Sequence, residues 1–228
     1  MQSTTLLIAT RNRHKTEEIA AILGTGFTCL TLDVAPGAPT PVEDAFTFEG
    51  NAMKKALSLA HWLIADATRP LWSRAGAGPF HVLADDSGLE VDALGGAPGV
   101  HSARFAALDT GAPGNSQDAD NNAKLIRLIE PVPAEKRTAR FRCCLALVPI
   151  RPGASSAELE STTAFFTGAC EGRIDPKPSG HGGFGYDPLF VPHGYDRSFA
   201  ELGEEVKNQL SHRARALAGL RRHLVAAG

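Results

Sequence analysis

Apolar and polar positions recur with two different periods along this chain, and the changes of period mark its elements. The apolar run Thr5–Ala9 predicts a first strand, followed by the polar, basic turn Thr10-Arg11-Asn12-Arg13-His14-Lys15. Ile19, Ile22 and Leu23 then share one face of a helix over 16–23. Residues 33–41, rich in proline and glycine, predict a loop. The strongest helical pattern covers Asn51–Ala65. There Met53, Ala56, Leu57, Ala60, Leu63 and Ile64 form the apolar stripe, with Lys54, Lys55 and Ser58 on other faces. Residues 66–79 predict an exposed loop. His81-Val82-Leu83-Ala84 predicts a strand that ends at two adjacent acids, Asp85 and Asp86.

Downstream, Asp109–Asn115 predicts a loop and Ser116 a cap for a helix running to Ile129, with Asp118 and Asp120 in its first turn. Ala139, Phe141, Cys143, Leu145 and Leu147 alternate with Arg140, Arg142 and Cys144, predicting a strand over Thr138–Val148. Residues 151–157 predict a hairpin tip, Ser161–Thr167 its partner strand, and Leu189–Val191 a short strand after the glycine-rich stretch 180–185. One long helix is predicted over Glu204–Val225, with Val206, Leu210, Leu217, Leu220 and Leu224 as its stripe. Mixed strands and helices over 228 residues predict one domain of α/β or α+β class.

Composition narrows the function. A net charge of −2 argues against a broadly basic nucleic-acid surface but leaves room for a local anion pocket. Cys29, Cys143, Cys144 and Cys170 contain no C-x-x-C pair, which argues against zinc and for free thiols in a reducing cytosol. No apolar run approaches the ~20 residues of a membrane span, and no signal-peptide pattern opens the chain. A cytoplasmic protein with neither membrane nor nucleic-acid partner is expected.

The chemistry centres on Asp85-Asp86-Ser87-Gly88. Mg²⁺ takes one or two carboxylates plus substrate phosphates, which suits adjacent acids at a strand end. The alternative is an aspartate-capped turn with Ser87 and Gly88 as turn residues. Glu43 and Glu49 are the acids best suited to join them, and Lys55 to reach a phosphate, with Lys54 as its surface twin. Thr10, Asn12 and Lys15, between a strand and a helix start, suit an anion, although their spacing is not that of a P-loop. In Gly182-Gly183-Phe184-Gly185-Tyr186-Asp187-Pro188 the glycines allow close approach, Phe184 can stack on a base and Asp187 can accept from base N–H groups. A glycine hairpin with Phe184 in the core is the competing interpretation. Lys207 and Ser211 share a helix face, with His212 and Arg213 beside it. No Ser/His/Asp or Cys/His order argues for an acyl-enzyme.

Six motifs occur in one order over nearly the whole chain. They are Ala9-Thr10-x-Asn12-x-x-Lys15, Thr47-Phe48-x-x-Asn51-Ala52-x-x-Lys55-Ala56, Ala84-Asp85-Asp86-Ser87-Gly88-Leu89, Pro98-Gly99-Val100-x-Ser102-Ala103-Arg104, Gly183-Phe184-Gly185-Tyr186-Asp187-Pro188 and Lys207-x-x-x-Ser211-His212-Arg213. In them the chain resembles the non-canonical purine nucleoside triphosphate pyrophosphatases, the inosine triphosphate or dITP/XTP diphosphatases. The resemblance implies an α/β fold with a long mixed sheet, flanking helices and two lobes around a central substrate cleft. It also implies a homodimer, Mg²⁺ as cofactor, and hydrolysis of ITP, dITP or XTP to the monophosphate and pyrophosphate. On this resemblance Asp86 would be the catalytic residue and, with Glu43, a metal carboxylate. Thr10, Arg11, Asn12, Arg13, His14, Lys15, Lys55 and Ser87 would hold phosphates. Phe184, Gly185, Tyr186 and Asp187 would hold sugar and base, and Lys207, His212 and Arg213 would complete recognition. The chain departs from the family pattern at Arg11 and His14, where glycine is common, at Gly50, where glutamate is frequent, and in a longer 66–79 loop. A pyrophosphatase of modified pyrimidine triphosphates has different motifs. A nucleotide-binding regulator would not need both Glu43 and Asp86, and an aspartyl-phosphate phosphatase would carry D-x-D.

Overall fold

Leu6, Leu7 and Ile8 are all fully buried, the pattern of a strand covered on both faces. They belong to β1 (Thr4–Ile8), which pairs in parallel with β2 (Phe27–Leu30) on one side and β3 (Phe80–Val91) on the other. Leu7 lies opposite both Leu30 and Val82. The structure is a computed structural model and describes residues 3–66 and 78–226. Helix α1 (Arg13–Leu23) connects β1 to β2, and α2 (Phe48–Ile64) precedes β3. The chain continues through α3 (Asp118–Ile129), β4 (Thr138–Pro149), α4 (Ser156–Ser161), β5 (Ala164–Ile174), β6 (Phe190–Pro192), α5 (Phe199–Leu210) and α6 (His212–Ala226). The strands form a mixed six-stranded sheet of order β2-β1-β3-β4-β5-β6, with β5 and β6 antiparallel. The expected α/β class with a long mixed sheet and flanking helices is what the chain adopts.

The chain divides into two units. The first holds the described residues up to Asp86, then Cys144–Phe166 and the part of α6 from Ala216. Its core packs α2, through Ala52, Ala56, Leu59, Ala60 and Leu63, on Leu7, Val82, Ala84, Cys144, Ala146 and Val148. The second unit is Ser87–Cys143 with Thr167–Arg215. Its core gathers Leu89, Val91, Leu125, Ile129, Phe141, Phe190 and Phe199, and Phe141 lies 4.7 Å from Phe190 between ring centroids.

Several elements differ from the expectations. β3 does not end at Ala84. It runs through Asp85, Asp86, Ser87 and Gly88 to Val91, so the acids are interior strand residues and not turn caps. The buried face of α2 includes Lys55 and Leu59, while Met53, Leu57 and Ile64 are only half-buried. Ser116 does not cap α3: Gln117 holds the cap position, and Ser116 Oγ accepts from Ala107 N instead. The expected hairpin tip at 151–157 becomes a turn and the short helix α4, started by a reciprocal capping box between Ser155 and Glu158. The partner strand lies further on, at β5. The single terminal helix is two helices, interrupted where Ser211 turns extended at ψ 162°. Ser211 Oγ accepts from Ala214 N, capping α6. Most of the 66–79 loop lies outside the described residues.

Candidate active site

In the first unit, the strand-to-helix turn after β1 is shaped by its own side chains. Asn12 is the N-cap of α1: its Oδ1 accepts from Lys15 N at 3.2 Å, and Thr10 Oγ1 accepts from Asn12 N at 3.1 Å. Lys15 is directed at a β3 acid, its Nζ donating to Asp85 Oδ1 at 2.6 Å. Arg11 donates to Ala38 O at 3.2 Å, and exposed Arg13 and His14 turn toward Glu17.

Asp86, next on β3, points to the opposite face because side chains alternate along a strand. That is the Val82–Ala84 face packed by α2. There Lys55 Nζ donates to Asp86 Oδ1 at 2.6 Å and to Glu43 Oε2 at 3.1 Å. Burial alone would lower the Lys55 pKa, but the charges of Asp86 and Glu43 prevail and raise it. Burial raises the Asp86 pKa above the ordinary carboxylate value, against the opposing pull of Lys55 and Lys15. Thus two buried charges of a kind that rarely leaves water meet at one point of the first unit, with the partly exposed Glu43 beside them.

The loop carrying Glu43 is tied to α2. Fully buried Asn51 accepts from Ala45 N at 3.0 Å and donates to Ala45 O at 3.3 Å. Thr47 caps the helix, and Lys54 pairs with Asp44 at the surface. Gly50 makes this approach possible, since a Cβ there would sit 2.7 Å from Ala45 Cβ. A side chain at this position would require the loop to move. Glu49 is exposed on the first turn of α2.

The donor set fits a hard cation. Glu43 and Asp86 converge on a single ammonium, and Asp86 Oδ2 is buried with no hydrogen-bond partner among the described residues. No cluster of three or more His, Cys, Asp or Glu occurs among the described residues. Two carboxylates are the complement that Mg²⁺ uses when phosphates and water supply the remaining oxygens. Cys144, near these acids, is pushed up to about 12 by burial and by the charges of Glu49, Asp86 and Asp85, so it stays a thiol. All four cysteines are free.

In the second unit the 183–187 loop is built around Asp187. Its Oδ2 accepts from Phe184 N at 2.9 Å and from Lys207 Nζ at 2.6 Å. Gly183, at φ +73°, is required here because a Cβ would meet Asp187 Oδ2 at 2.1 Å. Phe184 is half-buried, with Lys207 Nζ 4.4 Å and Arg213 Cζ 5.9 Å from its ring centroid. Arg213 also donates to Ser87 Oγ at 2.9 Å. His212 stacks on Phe141, with centroids 4.8 Å apart and planes 14° from parallel. Tyr186 lies in the core, its hydroxyl donating to Ser102 O at 2.8 Å.

Two residues that hold this loop were not singled out by sequence. Asp118 Oδ2 accepts from Gly185 N at 2.6 Å, and Asn122 Nδ2 donates to Gly185 O at 3.0 Å. They sit four apart on α3 and therefore on one face. In the sequence Asp118 shows only as an acid in the helix's first turn.

Residues 6–223 match the family model described as the Ham1 family. The chain belongs to the Ham1 family. A relative from Geobacter sulfurreducens named dITP/XTP pyrophosphatase is 46% identical over 222 residues, covering 97% of this chain and 96% of the relative. One of the same name from Desulforamulus reducens is 45% identical, covering 93% and 91%. The solved Ham1 protein of Coxiella burnetii superposes with a TM-score of 0.75 at 30% identity, covering 98% of this chain and 99% of that one. In this Ham1 family member Asp86, Lys55 and Glu43 meet at one point.

Proposed function

We propose that this protein hydrolyses non-canonical purine nucleoside triphosphates, dITP, ITP and XTP, to the nucleoside monophosphate and pyrophosphate. The observation that carries this is the joint contact of Lys55 with Glu43 and Asp86, beside the Lys15–Asp85 pair on the same strand. Carboxylates for a cation and ammonium groups for a polyanion are what a metal-bound triphosphate requires. Two curated relatives at 45% and 46% identity carry the name dITP/XTP pyrophosphatase, which supports the same substrates.

In this reading Glu43 and Asp86 hold Mg²⁺, which when bound polarises the phosphoryl oxygens. Asp86 orients and deprotonates the attacking water, a role suited to a carboxyl whose pKa burial raises. Lys15, Lys55, Ser87, Thr10, Asn12 and the basic side chains of Arg11, Arg13 and His14 serve the phosphates. Phe184 stacks on the base, while Gly185, Tyr186, Asp187, Lys207, His212 and Arg213 form and recognise its surroundings. A 6-oxo purine is favoured where a buried donor matches O6. The 6-amino group of adenine would leave that donor unpaired, at a cost of about 1–3 kcal/mol. The protein acts as a cytoplasmic homodimer in this proposal.

The test is a product assay with Mg²⁺ and ITP, XTP, dITP, ATP or GTP. Pyrophosphate with IMP from ITP, and slow turnover of ATP and GTP, is the expected result. Orthophosphate with IDP would overturn cleavage at the α–β linkage.

A further inference from the structure

Lys55 stands where a divalent cation would be expected. Its ammonium bridges Asp86 Oδ1 and Glu43 Oε2, the carboxylates assigned to the metal, at 2.6 and 3.1 Å. The bridge is built in: Lys55 is buried, and its helix packs through Ala52, Ala56 and Leu59 into the core of the first unit. Its neighbour Lys54 pairs with Asp44 at the surface. Lys15 takes Asp85. A carboxylate oxygen that accepts from an ammonium is compromised as a metal ligand, and an adjacent positive charge repels a divalent ion. A triphosphate removes both obstacles. It offers the ammonium charged oxygens and gives the metal further hard ligands.

We infer that Lys55 is an internal counter-ion of the metal carboxylates, resting on Glu43 and Asp86 in the free protein and passing to the phosphates when metal and nucleotide enter together. This rests on the reaction proposed above. Bare protein then binds metal weakly, and metal and nucleotide tighten each other's binding by the same factor.

The experiment titrates Mn²⁺ alone into wild type, Lys55→Met, Lys55→Gln and Lys54→Met, reading free Mn²⁺ by electron paramagnetic resonance and fold by circular dichroism. Both Lys55 variants are expected to bind Mn²⁺ about 10-fold or more tightly than wild type, within the usual range of such couplings. Lys54→Met should match wild type. Unchanged or weaker Mn²⁺ binding in a folded Lys55 variant would overturn the inference. A second measurement needs no substitution. A non-hydrolysable α,β-methylene analogue of ITP should tighten wild-type Mn²⁺ binding beyond the analogue's own, and no added tightening would also overturn it. The Mn²⁺ titration involves no turnover, so it can fail while the product assay succeeds, and the reverse.

Discussion

Lys207 Nζ lies 2.6 Å from Asp187 Oδ2, and both side chains are almost wholly buried. The same oxygen accepts from Phe184 N, so one carboxylate neutralises a buried ammonium and shapes the loop that presents the Phe184 ring. Removing one partner of such a pair leaves an uncompensated charge, which costs about 3–5 kcal/mol. Asp187→Ala is therefore expected to lower unfolding stability by that order, measured by urea denaturation, and to raise KM for ITP in whatever protein remains folded.

Asp86→Asn keeps the shape of the side chain but removes its charge and basicity. Turnover of ITP is expected to fall by about 10²–10⁴-fold, the usual worth of a positioned general base. Far-ultraviolet circular dichroism should be unchanged. Activity within a few-fold of wild type would remove Asp86 from the chemistry.

Gly50 and Ala45 test how closely the Glu43 loop must approach α2. A Cβ at Gly50 would lie 2.7 Å from Ala45 Cβ and 3.1 Å from Thr47 Oγ1. Gly50→Ala is expected to displace the loop, strain the Asn51 contacts with Ala45, and cost about 1–3 kcal/mol of stability. Activity should fall about 10-fold, equivalent to about 1.4 kcal/mol. Adding Ala45→Gly relieves the severe contact and should restore most of the loss. A double variant no better than Gly50→Ala would show that the contact does not govern the loop.

His81, on β3, has its pKa lowered from 6.5 to about 4 by burial, helped by the charges of His223 and Arg151. Its Nδ1 is buried without a hydrogen-bond partner among the described residues. Because the folded state resists protonation, this residue's contribution is present above pH 6.5 and is lost as pH falls from 6.5 toward 4. The full loss is on the order of 3 kcal/mol. The urea midpoint should drop across that window, and His81→Gln should flatten the drop.

The strands and helices with clean apolar periods were legible: β1, β4 and most of α2 lie close to their predicted positions. What the pattern hid has physical causes. β3 seemed to stop at Ala84 because Asp85 and Asp86 are polar, yet its backbone pairing continues and the acids are balanced by lysines from α1 and α2. Such compensation is tertiary and leaves no local mark. The break at Ser211 was hidden because an apolar stripe continues through Leu210 and Leu217, with neither glycine nor proline between them. Its signal was Ser211 as a helix cap. Ser155 and Glu158 carried a capping-box spacing that marks α4. At the site, Lys55 and Asp86 stand within the motifs and Glu43 is an acid just upstream of one, while Asn122 has no signature beyond its place on α3.

Which of the twin acids meets Lys55 is decided some distance from either. Leu7 opposite Val82, and Ile8 opposite Leu83, set the strand alignment by burying apolar side chains on both faces. Sliding β3 by one residue would turn every side chain over, Asp85 toward α2 and Asp86 toward α1. In the alignment observed, Asp86 lies on the side of Lys55 and Asp85 on the side of Lys15, so one strand register hands each acid a different ammonium.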